Sequence, residues 1–285
     1  MMDATTHAAP HPASPHTSRG AMWLRLLTGG AAPLYDWSTV HARDGILAGR
    51  PARYLAVVPD PDNGFPRARN GEVGLVEGWR LAQAVREVVD ADRDRALQDK
   101  RPIVAVIDVP SQAYGRREEA YGIHQALAGA VAAYAEARQA GHPVIGLIVG
   151  LAMSGAFLAH GYQANRLIAL DDPDVAVHAM GKASAARVTL RSVEALEQLA
   201  ARVPPMAYDV GSFASLGLLH GVLSLTNLAL PDEQDIALVH GALEGALADI
   251  LADPRRDLAN RLQGAHRGAS RRVRALLAAQ WEAAD

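Results

Sequence analysis

The chain has 285 residues, a formal net charge of −3 and 49% apolar residues, enough length to bury one large core or two small ones. Near-balanced charge gives no electrostatic footprint for nucleic acid. With no cysteine, disulfides, thiolate nucleophiles and zinc–thiolate sites are excluded.

Taken in chain order, residues 1–20 are rich in Ala, Pro, Ser, Thr and His, cannot bury a face, and are expected to be a disordered tail. His7, His11 and His16 lie there and are read as solvated rather than as a metal site. No basic stretch followed by an apolar run precedes the fold, so a cytoplasmic address is expected. Residues 21–285 are read as a single domain ending in C-terminal helices, with folding announced by Trp23, Leu26, Leu27, Tyr35 and Trp37. The run RYLAVV predicts a first strand over 53–58. A long Pro/Gly/Asn loop follows, then a helix over 72–89 with Leu81, Val85 and Val88 at helical spacing. IVAVI predicts a buried strand over 103–107. A small-residue turn (DVPSQAYGRREEAYG) leads to one long alanine-rich helix over 118–140, which Gly141 ends.

The central stretch is HPVIGLIVGLAMSGAFLAHGYQANRLIAL, residues 142–170. It predicts a buried strand (144–149), a small-residue turn (150–155), a helix (156–164) and a second strand (166–170). A membrane span over 143–161 is disfavoured by its glycines, Ser154 and His160 and by the change of period midway. The turn has little side-chain bulk and opens a helix, so its amides have the form of an anion cradle. Close packing of helix on strand is the other reading of the same glycines. Beyond it come a short strand near 175–177, helical segments over 192–202 and 212–219, a strand after them, a helix over 235–251 and a basic helical tail. The alternation implies parallel strands and right-handed crossovers, with both turns at carboxyl ends of strands, where α/β sheets bind ligands.

Two local patterns then coincide. A DVP turn (Asp108, Val109, Pro110) precedes a helix containing EEAYGI, and the next strand ends in Ser154-Gly155-Ala156. This arrangement resembles the carboxyl-terminal halves of biotin-dependent acyl-CoA carboxyltransferases, members of the crotonase-like superfamily. Those enzymes carry Pro-Gly and Gly-Gly-Ala where this chain has Pro110-Ser111 and Ser154-Gly155-Ala156. These departures, HAMGKASAARVT from His178 and the Tyr208-to-Gly211 segment look like the gamma subunits of biotin-independent malonate decarboxylases.

The resemblance implies an α/β fold, a crotonase-like spiral of ββα units, working as a pair with a homologous beta subunit. It implies a malonyl thioester on the phosphopantetheine-type arm of an acyl carrier protein as substrate. The products are the acetyl thioester and carbon dioxide. No cofactor, biotin or metal is implied on this chain, and neither a membrane nor nucleic acid as partner. Losing CO2 sends charge into the thioester oxygen, where each fixed N–H donor is worth roughly 3–4 kcal/mol. The Gly155 and Ala156 amides are expected to cradle the carboxylate end. Ser154 and His178 are expected to assist, His178 as the titratable group nearest the enolate. Ser111, Gln112, Ala113 and Tyr114 on the other turn, with Arg116 and Lys182, are expected to bind substrate. Arg116 or Arg117 would meet a phosphate or an acidic carrier helix; a solvated loop is the alternative for all these cations.

Two other functions stay open at this stage. GLAMSGAFLAHG also resembles the nucleophile segment of Clp-type serine proteases, with His178 following Ser154 by 24 residues. Asp209 and Asp232 are then the candidates for orienting the imidazole, although one residue is missing between the serine and Gly-Ala relative to that pattern. The third possibility is a non-catalytic scaffold that completes the partner's pocket.

Overall fold

A computed structural model describes residues 18–283. The tail expected over 1–20 therefore lies mostly outside the described residues, and its last part is helix. Ser18 caps α1 (Arg19–Leu27) by accepting from Ala21 N, and Arg19 pairs with Asp172 and Asp174. Trp23 and Leu24 on this helix are fully buried.

The sheet opens with a hairpin that the hydrophobic pattern alone did not announce. β1 (Val40–Leu47) and β2 (Arg50–Val57) pair antiparallel through Ala48 and Gly49, both at positive φ, as a two-residue primed turn requires. Every later pairing is parallel. α2 (Leu75–Ala91) leads to β3 (Ile103–Val109), and α4 (Ile123–Gln139) to β4 (Val144–Met153). Across the sheet the order is β1-β2-β3-β4-β5-β7, where β5 is Arg166–Leu170 and β7 is Gly221–Leu223. β6 (Ala176–His178) pairs only with the far end of β4.

β3 and β4 are buried almost throughout because helices cover both faces, so their sequences read as continuous apolar runs. The nineteen-residue apolar stretch is thus a ten-residue strand followed by the six-residue α5 (Ser154–Ala159). Among the described residues no helix is long and apolar enough to cross a membrane. Helices α2 and α4 touch at backbone distance, since a Cβ on Gly78 would stand 2.6 Å from the Ala126 carbonyl oxygen. The stripe Ala126, Ala130, Ala133 and Ala137 is what lets α4 come so near.

The long helix expected over 118–140 is two helices. α3 (Arg116–Ala120) stops at Tyr121, and Gly122 at φ 81° redirects the chain into α4. Shorter helices follow: α6 (Lys182–Val188), α7 (Val193–Ala200) and α8 (Val210–Ser215). Then come α9 (Glu233–Ala252) and α10 (Gly268–Glu282). α10 carries exposed Val273, Leu276, Leu277 and Trp281.

Candidate active site

The carboxyl ends of β3, β4 and β6 converge on a cleft of about 1140 Å³. After β3, the chain turns at Pro110, and the segment 111–113 is held against Val73: Val73 N donates to Ser111 O at 3.0 Å, and Ala113 N to Val73 O at 2.9 Å. β4 delivers Ser154 at φ 61°, a left-handed conformation that costs a serine energy. His178 sits beside it through the Met153–His178 pairing of β4 with β6. Among the described residues the lining includes Ser111, Gln112, Tyr114, Ser154, Gly155 and His178, with Met153, Phe157, Leu158 and Met180 as apolar wall. It contains no Asp, Glu, Lys or Arg. Phe157 packs edge-on against Tyr162 and Phe213 in this wall.

The small-residue turn is tighter than its sequence suggests. Gly150 is part of β4, and a Cβ there would lie 2.2 Å from Asp108 Oδ1. Asp108 uses its carboxylate to accept from Leu151 N at 3.2 Å and Gly20 N at 3.3 Å. Close packing therefore explains Gly150. Gly155 is different: its amide donates to Gln112 Oε1 at 2.8 Å, and Ser154 Oγ donates to the same oxygen at 3.3 Å. The expected bare amide is already engaged by a side chain. Ala156, expected beside it, is fully buried and is not among the residues that line the cleft. α5 spans only six residues, so little helix dipole reaches the turn.

His178 is half-buried, and desolvation, its largest influence, pulls its pKa below 6.5, so the ring is neutral at pH 7. The imidazole stacks on Tyr208 at 3.9 Å and 13°. Its Nδ1 lies 3.0 Å from Met180 O and 3.2 Å from Met180 N, so the tautomer decides which contact is made. Tyr208 in turn donates to Met180 O at 2.8 Å. Ser154 bonds Gln112 and not His178. Asp209 caps α8 through Ser212 N, and Asp232 caps α9 through Asp235 N. The relay a serine hydrolase needs is not assembled.

The remaining expected residues divide. Tyr114 stands at the rim, 57% exposed. Ala113 is buried against Ala68 and Ile123. Arg116 is exposed on α3, outside the cleft lining, and Arg117 lies over the Phe65 ring at 4.6 Å. Lys182 pairs with Glu197 at 2.7 Å beside a neighbouring cleft of about 490 Å³. Tyr208 and Asp108 are contributors that residue type alone did not single out; each acts by holding a neighbour. His160 is not a site group at all. It is enclosed between Tyr134 Oη and Val106 O, and burial pushes its pKa down to about 4.

The family model for the malonate decarboxylase gamma subunit, MdcE, matches residues 68–281. The chain belongs to the malonate decarboxylase gamma-subunit family. A Pseudomonas MdcD–MdcE malonate decarboxylase hetero-dimer contains a chain 61% identical to it, at a TM-score of 0.85 over 93% of this chain and 100% of that one. The malonyl-S-ACP:biotin-protein carboxyltransferase MADD of Malonomonas rubra is 37% identical over 154 residues, which is 54% of this chain and 53% of the relative. This chain thus matches about half the length of that relative. Transcarboxylase 12S, solved with methylmalonyl-coenzyme A, is 20% identical at a TM-score of 0.55 over 74% of this chain and 37% of that one, and shares the fold. The α/β crotonase-type architecture expected for a gamma subunit is the one observed.

Proposed function

We propose that this gamma-family chain pairs with a homologous beta subunit to decarboxylate a malonyl thioester borne by an acyl carrier protein. The products are the acetyl thioester and CO2. One observation carries the reading: a cleft lined, among the described residues, by no charged side chain and including Gln112, Ser154 and Gly155 opens at the carboxyl ends of parallel strands, where α/β sheets bind ligands. Family membership, the Pseudomonas hetero-dimer and the malonyl-S-ACP named for the Malonomonas relative support partner and substrate class.

Cleavage turns the carboxylate into neutral CO2 and spreads its charge over the enolate and thioester oxygen. A largely apolar site that offers neutral donors favours that change, because the localised charge of the ground state is the one it solvates less well. This chain supplies the carboxylate end, and the partner's turn supplies donors to the thioester oxygen. The enolate carbon then takes one proton from a water held at neutral His178, and the hydroxide left behind takes up a proton from solvent, so one proton is consumed for each CO2 released. The phosphopantetheine-type arm belongs to the carrier protein, with no cofactor held by this chain, and the address is cytoplasmic.

Reconstituting the chain with its beta partner and measuring CO2 released from malonyl carrier protein tests the reading. The pair should turn over and neither subunit alone should. Equal activity in the beta subunit alone would leave this chain as a scaffold.

A further inference from the structure

The Gly155 amide can only donate, so its 2.8 Å contact decides which way the Gln112 carboxamide faces. The oxygen is held at the β4–α5 junction, and the Ser154 hydroxyl adds a second donor to it at 3.3 Å. The NH2 end must then point away from that junction. Among the described residues Gln112 Nε2 has no acceptor, and it is not one of the buried polar atoms left without a partner. It therefore stands open in the cleft that Gln112 lines. Its main chain is pinned as well, by the two Val73 bonds on either side.

We infer that the Gln112 NH2 group grips the substrate carboxylate, with Gly155 and Ser154 as positioning residues that turn the carboxamide. The inference rests on the decarboxylase reading and names the group that does the holding. It also gives the engaged Gly155 amide a purpose. A backbone donor that met the substrate directly would need Gln112 to swing aside; here the donor is relayed by one side chain and arrives already oriented. Its neutrality matters for the chemistry. An arginine or lysine at this position would stabilise the carboxylate most strongly before cleavage and lose that interaction as CO2 departs, raising the barrier. A carboxamide orients the carboxylate with a smaller penalty, in keeping with a lining that holds no charged side chain among the described residues.

Gln112→Glu separates the two ends of the group. A carboxylate still accepts from Gly155 N and Ser154 Oγ, but presents oxygen where the NH2 stood. In the complex with the beta partner, the dissociation constant for malonate by calorimetry and the KM for malonyl thioester should both rise on the order of tenfold or more. The deficit relative to wild type should shrink as pH falls and the glutamate takes up a proton, a recovery that a purely structural defect would not show. Gln112→Ala provides the second variant, with assembly followed by size exclusion. Weaker malonate binding by the assembled Gln112→Ala complex supports the inference. Tighter binding overturns it, because Gln112 would then be only a plug on the Gly155 amide. Unchanged malonate binding and KM in Gln112→Glu overturn it too, while leaving the decarboxylase reading intact. A wild-type complex that binds malonate, loses it in Gln112→Glu and releases no CO2 refutes the decarboxylase reading and supports the grip.

Discussion

Replacing Gly155 with alanine isolates the contact on which the cleft depends. The new Cβ would stand 2.2 Å from Gln112 Oε1, whereas the nearest atom outside that side chain, Leu127 Cδ1, lies at an ordinary 3.6 Å. Nothing else obstructs the methyl group, so Gln112 must withdraw by about 1 Å or more to restore contact distance. That movement breaks a 2.8 Å hydrogen bond. The cost to stability is small. A neutral hydrogen bond contributes about 1 kcal/mol, and alanine in place of glycine inside a helix returns about 1 kcal/mol; Gly155 is not at positive φ. The urea midpoint should therefore stay near wild type. Catalysis should not. A hydrogen bond to a charged group is worth about 1.5–3 kcal/mol, so kcat/KM for CO2 release by the variant paired with its beta partner should fall roughly 10- to 150-fold, mainly through KM. A kcat/KM within twofold of wild type in a properly assembled complex would refute the reasoning.

Ser154→Ala should lower turnover only several-fold, and a fluorophosphonate probe should not label wild-type Ser154, since the hydroxyl only helps orient Gln112; labelling would restore the hydrolase alternative. Acid should destabilise the chain in a defined window. Burial lowers the His160 pKa from 6.5 to about 4, so the unfolded chain takes up this proton first. The stability it contributes is complete above pH 6.5 and drains away as pH falls toward 4, roughly 3 kcal/mol in all. Urea titrations at stepped pH should show this loss, and His160→Gln should flatten it; His142, also lowered by burial, adds in the same direction. Gly78→Ala drives a methyl group into the Ala126 backbone at 2.6 Å, where no side chain can yield. It should cost about 1–3 kcal/mol in the urea midpoint; an unchanged midpoint would show that α2 and α4 can part freely.

Much of the architecture was legible because it depends on local pattern. β5 over 166–170 announces itself by the apolar run that follows Arg166, and β3 and β4 by apolar runs that only a doubly covered strand needs. The α3–α4 break was missed because an alanine-rich stretch keeps its helical spacing through Tyr121 and Gly122; only the φ of 81° at Gly122 reveals the turn. β1 was missed because VHARDGIL is half-exposed and lacks a clean alternation. At the site, Ser154, Gly155 and His178 were visible as a strand-end constellation and do meet at one cleft. Whether the Gly155 amide is free was not visible, since it is decided by Gln112, far away in sequence. The same holds for Ala156, whose burial depends on how α5 packs, and for Asp209 and Asp232, whose carboxylates serve helix caps.

A malonyl thioester analogue carrying a diazirine next to its carboxylate, photolysed in the assembled complex and mapped by mass spectrometry, tests the central claim most directly. Adducts on residues 110–114 and 153–158 of this chain, suppressed by excess malonyl thioester, are the predicted result. Adducts confined to the beta partner would contradict it.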